Sequence, residues 1–164
     1  MIRFVELPPA ALQALIESDL PAAGAAAGQE LSEYILGEKW LWEMRFEQIA
    51  RDPASAEWIA RAVVAEPEQV VIGHAGFHGP PDADGMVEVA YSVAPAYRRR
   101  GFAKEMLAAL IARAETDPRV RVVRASISPE NAASLATIAG FGFVQVGEQW
   151  DEEDGLELLF ERPA

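Results

Sequence analysis

Arg98-Arg99-Arg100-Gly101-Phe102-Ala103-Lys104 combines a run of cations with small residues at the entrance to a helical pattern. It follows the apolar run Met86 to Val93 and Pro95, and precedes Met106, Leu107, Leu110, Ile111 and Ala114 at three- and four-residue spacing. A strand, a turn and a helix start present first-turn N–H groups and a positive dipole end to an anion. Small residues at Gly101 and Ala103 let an anion approach the backbone, and the arginines and Lys104 add charge-assisted hydrogen bonds. The alternative is a solvated basic turn.

Other residues could carry chemistry. Strand alternation places Glu88, Ala90 and Ser92 on one face and Val87, Val89, Tyr91 and Val93 on the other. A carboxylate within a sheet is costly unless paired or wet. His74 and His78 share a face but lie roughly 13 Å apart in an extended strand, so they cannot share one ion and no metal site is expected. His78 stands at a loop edge, before Gly79-Pro80-Pro81. Asn131 follows Ser128-Pro129-Glu130 and can cap a helix. Tyr34, Trp40, Trp42 and Phe46 sit at helical spacing, where aromatics usually face a core.

The elements that position these residues are legible in outline. Ile2 to Glu6 reads as a strand, Pro8-Pro9 as the start of a helix and Leu31 to Ile49 as a second helical region. Leu20 to Gly28 and Gly79 to Gly85 are the densest runs of breakers. Glu57 to Val64 reads as a helix end entering a strand, and Val70 to Phe77 and Met86 to Val93 as a hairpin about Asp82-Ala83-Asp84-Gly85. A helix from Ala103, ended by Asp117-Pro118, precedes strand Val120 to Ile127, helix Asn131 to Ala139 and strands Phe143 to Gln149 and Leu156 to Glu161. This order predicts one mixed α/β domain over residues 1–164 with a central sheet.

Composition limits the partners. The net charge of −12 argues against nucleic acid and anionic membranes. Residues 1–90 hold fifteen Asp/Glu against five Lys/Arg, whereas Arg98 to Arg124 holds eight Lys/Arg against Glu105, Glu115 and Asp117. The absence of cysteine excludes disulfides, thiolate nucleophiles and cysteine zinc sites. No apolar run approaches the roughly 18 residues of a membrane span, and a cytoplasmic protein is expected.

The segment Val87 to Ala103 resembles the central motif of the GNAT superfamily of N-acetyltransferases, [Gln/Arg]-x-x-Gly-x-[Gly/Ala]. A second match follows, with strand Val120 to Ile127, then Asn131-Ala132-Ala133-Ser134-Leu135 and Ala139-Gly140-Phe141. The likeness is strong from Val70 to about Arg162, weak over the first 60 residues, and closest to the ribosomal-protein N-terminal acetyltransferase-like branch.

This resemblance implies a mixed, strongly twisted sheet of about six or seven strands with about four helices, splayed at the fourth and fifth strands. It divides the domain into a divergent acceptor-side part, residues 1–65, and a cofactor-binding core, residues 70–162. It implies acetyl-CoA as cofactor and CoA as product. The pyrophosphate then falls to Arg98, Arg99, Arg100, Gly101, Phe102, Ala103 and Lys104, and the pantetheine arm to the backbone of Ser92 and Val93 and to Asn131. Glu88 matches the position of a base. Ala136 stands where many members carry a tyrosine acid, which leaves Ser134, a water or no acid.

In such relatives the first part of the chain builds the acceptor pocket, here with Tyr34, Trp42 and His78. The implied reaction is transfer to a primary amine, a peptide N-terminus or a small cationic molecule, by direct attack in a ternary complex. The alternative is a non-catalytic acyl-CoA-binding sensor or assembly module. The active form is expected to be a monomer or homodimer.

Overall fold

The computed structural model describes all 164 residues. Seven strands form one sheet in the order β1-β2-β3-β4-β5-β7-β6. They are β1 (Ile2–Val5), β2 (Arg61–Ala65), β3 (Val70–Phe77), β4 (Met86–Val93), β5 (Val122–Ile127), β6 (Val144–Asp151) and β7 (Gly155–Pro163). All neighbours are antiparallel except β4 and β5, which are parallel and joined by helix α5 (Phe102–Glu115). The turn at Asp82 to Gly85 closes the expected β3–β4 hairpin, with Asp82 Oδ1 accepting from the N–H groups of Asp84 and Met86.

Each face of the sheet has its own core. Helices α1 (Pro9–Ile16), α2 (Leu20–Ala27), α3 (Glu33–Leu36) and α4 (Lys39–Arg51) bury Leu12, Leu15, Ile35 and Trp42 against Ala62, Val64 and Val71. On the other face α5 and α6 (Ala132–Ile138) pack Met106, Leu107, Leu110 and Ile138 against Val63, Val87 and Val123. Ala62 and Val64 face one core while Val63 and Ala65 face the other, the two-residue alternation of a strand buried on both sides. No helix is long and apolar enough to cross a membrane.

Two expectations are corrected. Leu20 to Gly28 is helix α2 rather than a break. Asp19 accepts from Ala22 N–H, Pro21 stands in the first turn where its missing N–H costs nothing, and Gly28 ends the helix at φ 71°. The second helical region is two helices, broken at Gly37 and Glu38. The sheet is therefore flanked by six helices rather than about four.

Candidate active site

The central feature is a gap in the sheet. β4 and β5 pair only at Met86, Val87 and Glu88 against Val122, Val123 and Arg124, and then part. The Ala94 N–H bonds Ile72 O at 2.7 Å and the His78 N–H bonds Glu88 O at 2.9 Å, so even-numbered backbone groups of β4 face β3. The odd-numbered groups of Tyr91 and Val93 face the other way, into the gap, where no strand meets them. Arg98 closes one end by donating from Nε to Val93 O at 2.8 Å.

At that end the chain forms a cradle of free amides and cations. Gly101 caps α5 at φ 84° and supplies no side-chain cap, so the first-turn N–H groups of Phe102, Ala103 and Lys104 have no acceptor within the helix. A Cβ at Gly101 would meet nothing within 4 Å, so the space before the helix is open. Arg98, Arg99, Arg100 and Lys104 are exposed around it, with the Arg100 guanidinium 5.6 Å from the centre of the Tyr97 ring. Free amides, an open left-handed glycine and a ring of cations fit a diphosphate.

The gap opens into a cavity of about 1420 Å³, walled by α4, β3, β4, the start of α6 and the β6–β7 turn. Eight carboxylates line it, Glu38, Asp52, Glu88, Asp151, Glu152, Glu153, Asp154 and Glu157, against Arg45 and Arg51. Glu88 is 15% exposed and its Oε2 lies 3.3 Å from His78 Nδ1. His78 is half exposed, yet enclosure by the cavity wall pushes its pKa below the ordinary value, against the opposing pull of Glu88. Arg45 is buried beneath, bonding Gln48 Oε1 at 2.8 Å and His78 O at 3.2 Å.

A second glutamate–histidine pair lies further along the same wall. His74 Nε2 is 3.5 Å from Glu38 Oε1, an electrostatic contact without hydrogen-bond geometry, and neither ring nitrogen of His74 has a hydrogen-bond partner. The His74 imidazole first, then the Trp40 N–H and the Tyr34 hydroxyl, hold the Glu38 carboxyl below its ordinary range against the effect of burial.

Across the gap, the Tyr91 phenol stands beside Ser134. Burial pushes its pKa up to about 12, with Ser134 opposing, so it keeps its proton.

The expected site residues divide accordingly. Glu88, Ser92, His78, Asn131 and Ser134 all line the one cavity. Val93, Arg98, Arg99, Arg100, Gly101, Phe102, Ala103 and Lys104 form the gap end and the cradle. Trp42 is a correction: it is fully buried, donates its indole N–H to Ile35 O at 2.7 Å, and belongs to the core because α4 turns it inward. Tyr34 lies behind the cavity wall and reaches it only through its hydroxyl, which bonds Ser92 Oγ. Ser92 is corrected too: its backbone faces β3 and its side chain is taken by Tyr34, so only Val93 of the pair offers backbone to the gap. Asn131 caps α6, accepting from Ser134 N–H at 3.1 Å, which leaves its amide N–H₂ for a ligand.

Sequence reading missed Tyr91, Glu38, Arg45 and the acids of the β6–β7 turn. Alternation set Tyr91 on the face opposite Glu88, where it does pack against the core, and its place beside Ser134 depends on where α6 lies across the gap. The Gly37 break was a usable signal for Glu38, since a residue between helices is free to point into a cleft.

Comparison with known proteins agrees with this geometry. A family model described as an acetyltransferase (GNAT) domain matches residues 11–144 and so includes most of the N-terminal part, where the resemblance was weak. The curated relative "Uncharacterized N-acetyltransferase YjdG" of Bacillus subtilis is 30% identical over 87 residues, 53% of this chain and 50% of its own length, so the match spans half of that relative. Among solved structures, the ribosomal-protein-alanine N-acetyltransferase from Brucella melitensis is 25% identical, with TM-score 0.61 over 100% of this chain and 99% of that one. A chimera of the spermidine N-acetyltransferase SpeG from Vibrio cholerae with hSSAT is 14% identical, with TM-score 0.68 over 99% of this chain and 95% of that one.

Proposed function

Because this chain belongs to the GNAT acetyltransferase family, we propose that it transfers an acetyl group from acetyl-CoA to a primary amine on a cationic acceptor, by direct attack in a ternary complex. The observation that carries this reading is the β4–β5 gap, which joins the anion cradle to the acidic cavity. Bound acetyl-CoA supplies an activated acyl group. The amides of Phe102, Ala103 and Lys104, with the surrounding arginines, hold its diphosphate, and the gap-facing backbone of Tyr91 and Val93 takes the extended arm. A backbone N–H there also meets the oxygen on which negative charge develops.

Glu88 takes the proton from the acceptor nitrogen. An α-amine near pKa 8 costs about 1.4 kcal/mol to neutralise at pH 7, and a lysine near 10.4 about 4.6 kcal/mol, so the base matters more for alkyl amines. As the N–C bond forms and the C–S bond breaks, Tyr91, with Ser134 beside it, gives a proton to the thiolate sulfur. Tyr91 thus fills the role that Ala136 cannot.

The acceptor follows from charge. Eight carboxylates against two arginines make the cavity attractive to ammonium groups, and exposed charges of this kind are screened beyond about 10 Å at 0.1 M salt. Thioester consumption with cationic amines, basic peptides and acidic peptides of equal length tests the reading. A cationic acceptor should give the higher kcat/KM, with the gap narrowing as salt rises. Equal efficiency for an acidic peptide at low salt refutes the acceptor preference. Absence of turnover with any amine, alongside tight CoA binding, favours a non-catalytic acyl-CoA sensor, the second reading that Ala136 supports.

A further inference from the structure

His74 is an anomaly for a buried polar residue. It is 7% exposed and both ring nitrogens lack a hydrogen bond. A neutral imidazole carries one donor and one acceptor, and leaving both unmet inside a protein is costly. The ring nevertheless lines the cavity, between the ionised Glu38 and the stacked Tyr34, whose ring centre is 6.3 Å away. Trp40, 58% exposed, lines the same corner and donates its N–H to Glu38 Oε2 at 3.1 Å. A carboxylate and an indole face are groups that bind an ammonium ion, and His74, enclosed behind the carboxylate with Nε2 3.5 Å from Glu38 Oε1, holds it in place.

The register adds a length. His74 on β3 and His78, one residue past its end and still paired to β4 through Glu88 O, lie four residues apart, each against its own glutamate, at 3.5 and 3.3 Å. In an extended strand that separates the two pairs by roughly 13 Å. Glu88 stands where β4 and β5 part, and Glu38 stands further along the wall.

We propose that Glu38, Trp40 and His74 form a second ammonium pocket, and that the acceptor is a linear diamine with its reactive nitrogen at Glu88 and its far ammonium at Glu38. This rests on reading the cavity as the acceptor site. Allowing for contact at both ends, the span fits two nitrogens on the order of 10 Å apart, an extended chain of about eight carbons.

Three acceptors separate the possibilities: 1,8-diaminooctane, 1,4-diaminobutane and 1-aminooctane. The long diamine should exceed the monoamine in kcat/KM by about tenfold or more, as a charge-assisted contact implies, and the short diamine should not. Glu38→Gln and Trp40→Ala, both at solvent-accessible positions, should collapse the ratio of long diamine to monoamine towards one. A ratio as large in both variants as in the parent overturns the proposal. Calorimetry of 1,8-diaminooctane against protein saturated with CoA involves no acetyl group and hence no turnover, so it reads the pocket alone. Binding weakened about tenfold by Glu38→Gln supports the pocket even if no amine is acetylated, and unchanged binding overturns it even if acetylation proceeds.

Discussion

Replacing Gly101 separates the cost of its backbone shape from its part in binding. Gly101 sits at φ 84° and Gly28 at φ 71°, and a Cβ at either would meet nothing within 4 Å. Alanine at either position should therefore cost only the left-handed conformation, about 1–2 kcal/mol. For a chain of this size that lowers Tm by about 2–4 °C per kcal/mol. The two variants should then differ in cofactor affinity, because only Gly101 faces the cradle, whereas Gly28 ends α2. Gly101→Glu adds a negative charge where the diphosphate must lie. Two unit charges about 4 Å apart repel by about 4 kcal/mol at an effective dielectric constant of 20. Screening at this exposed turn reduces that, so the CoA dissociation constant should rise by on the order of 10² or more. Calorimetry of CoA binding with parallel thermal unfolding measures both quantities. A folded Gly101→Glu protein that binds CoA as tightly as the parent refutes the cradle.

Three further outcomes follow from the same geometry. Glu88→Gln should lower kcat by on the order of 10² and move the rate profile to higher pH, because solvent must then deprotonate the amine, while the CoA dissociation constant stays nearly constant; normal turnover at pH 7 would assign the base elsewhere. Tyr91→Phe should lower kcat by about tenfold, a modest loss because a thiolate leaves easily, and an unchanged kcat would leave the proton to water. Trp42→Phe removes the indole hydrogen bond to Ile35 O, which still accepts from the Glu38 N–H, and opens space in the core, so chemical denaturation should show a loss of about 1–3 kcal/mol with the amine KM unaltered; the opposite pattern would return Trp42 to the acceptor pocket.

Local features determined much of the molecule directly from the sequence. The proposed anion cradle is a contiguous run, Arg98 to Lys104, built from helix-start amides and one left-handed glycine, so residue types at fixed spacing specify it. The β3–β4 hairpin and the amphipathic α5 were legible for the same reason, since turn chemistry and three- and four-residue periodicity act over a few residues. Glu88 was singled out by the family resemblance, and a carboxylate within an apolar strand needs a wet or paired position, which it has in the cavity and His78.

What only the tertiary structure decided depends on where separate elements meet. The parting of β4 from β5 after Glu88 left Tyr91, at the edge of the core, beside Ser134, and alternation along one strand carries no information about the distance to the next. The inward turn of α4 buried Trp42 while leaving Trp40 exposed two residues away, because which face of a helix meets the sheet is set by packing rather than by aromatic content. The acids of the β6–β7 turn entered the cavity from the far end of the chain, although the acceptor side was assigned to residues 1–65. A cavity is enclosed by surfaces distant in sequence, so its composition became readable only once the sheet order β4-β5-β7-β6 brought those surfaces together.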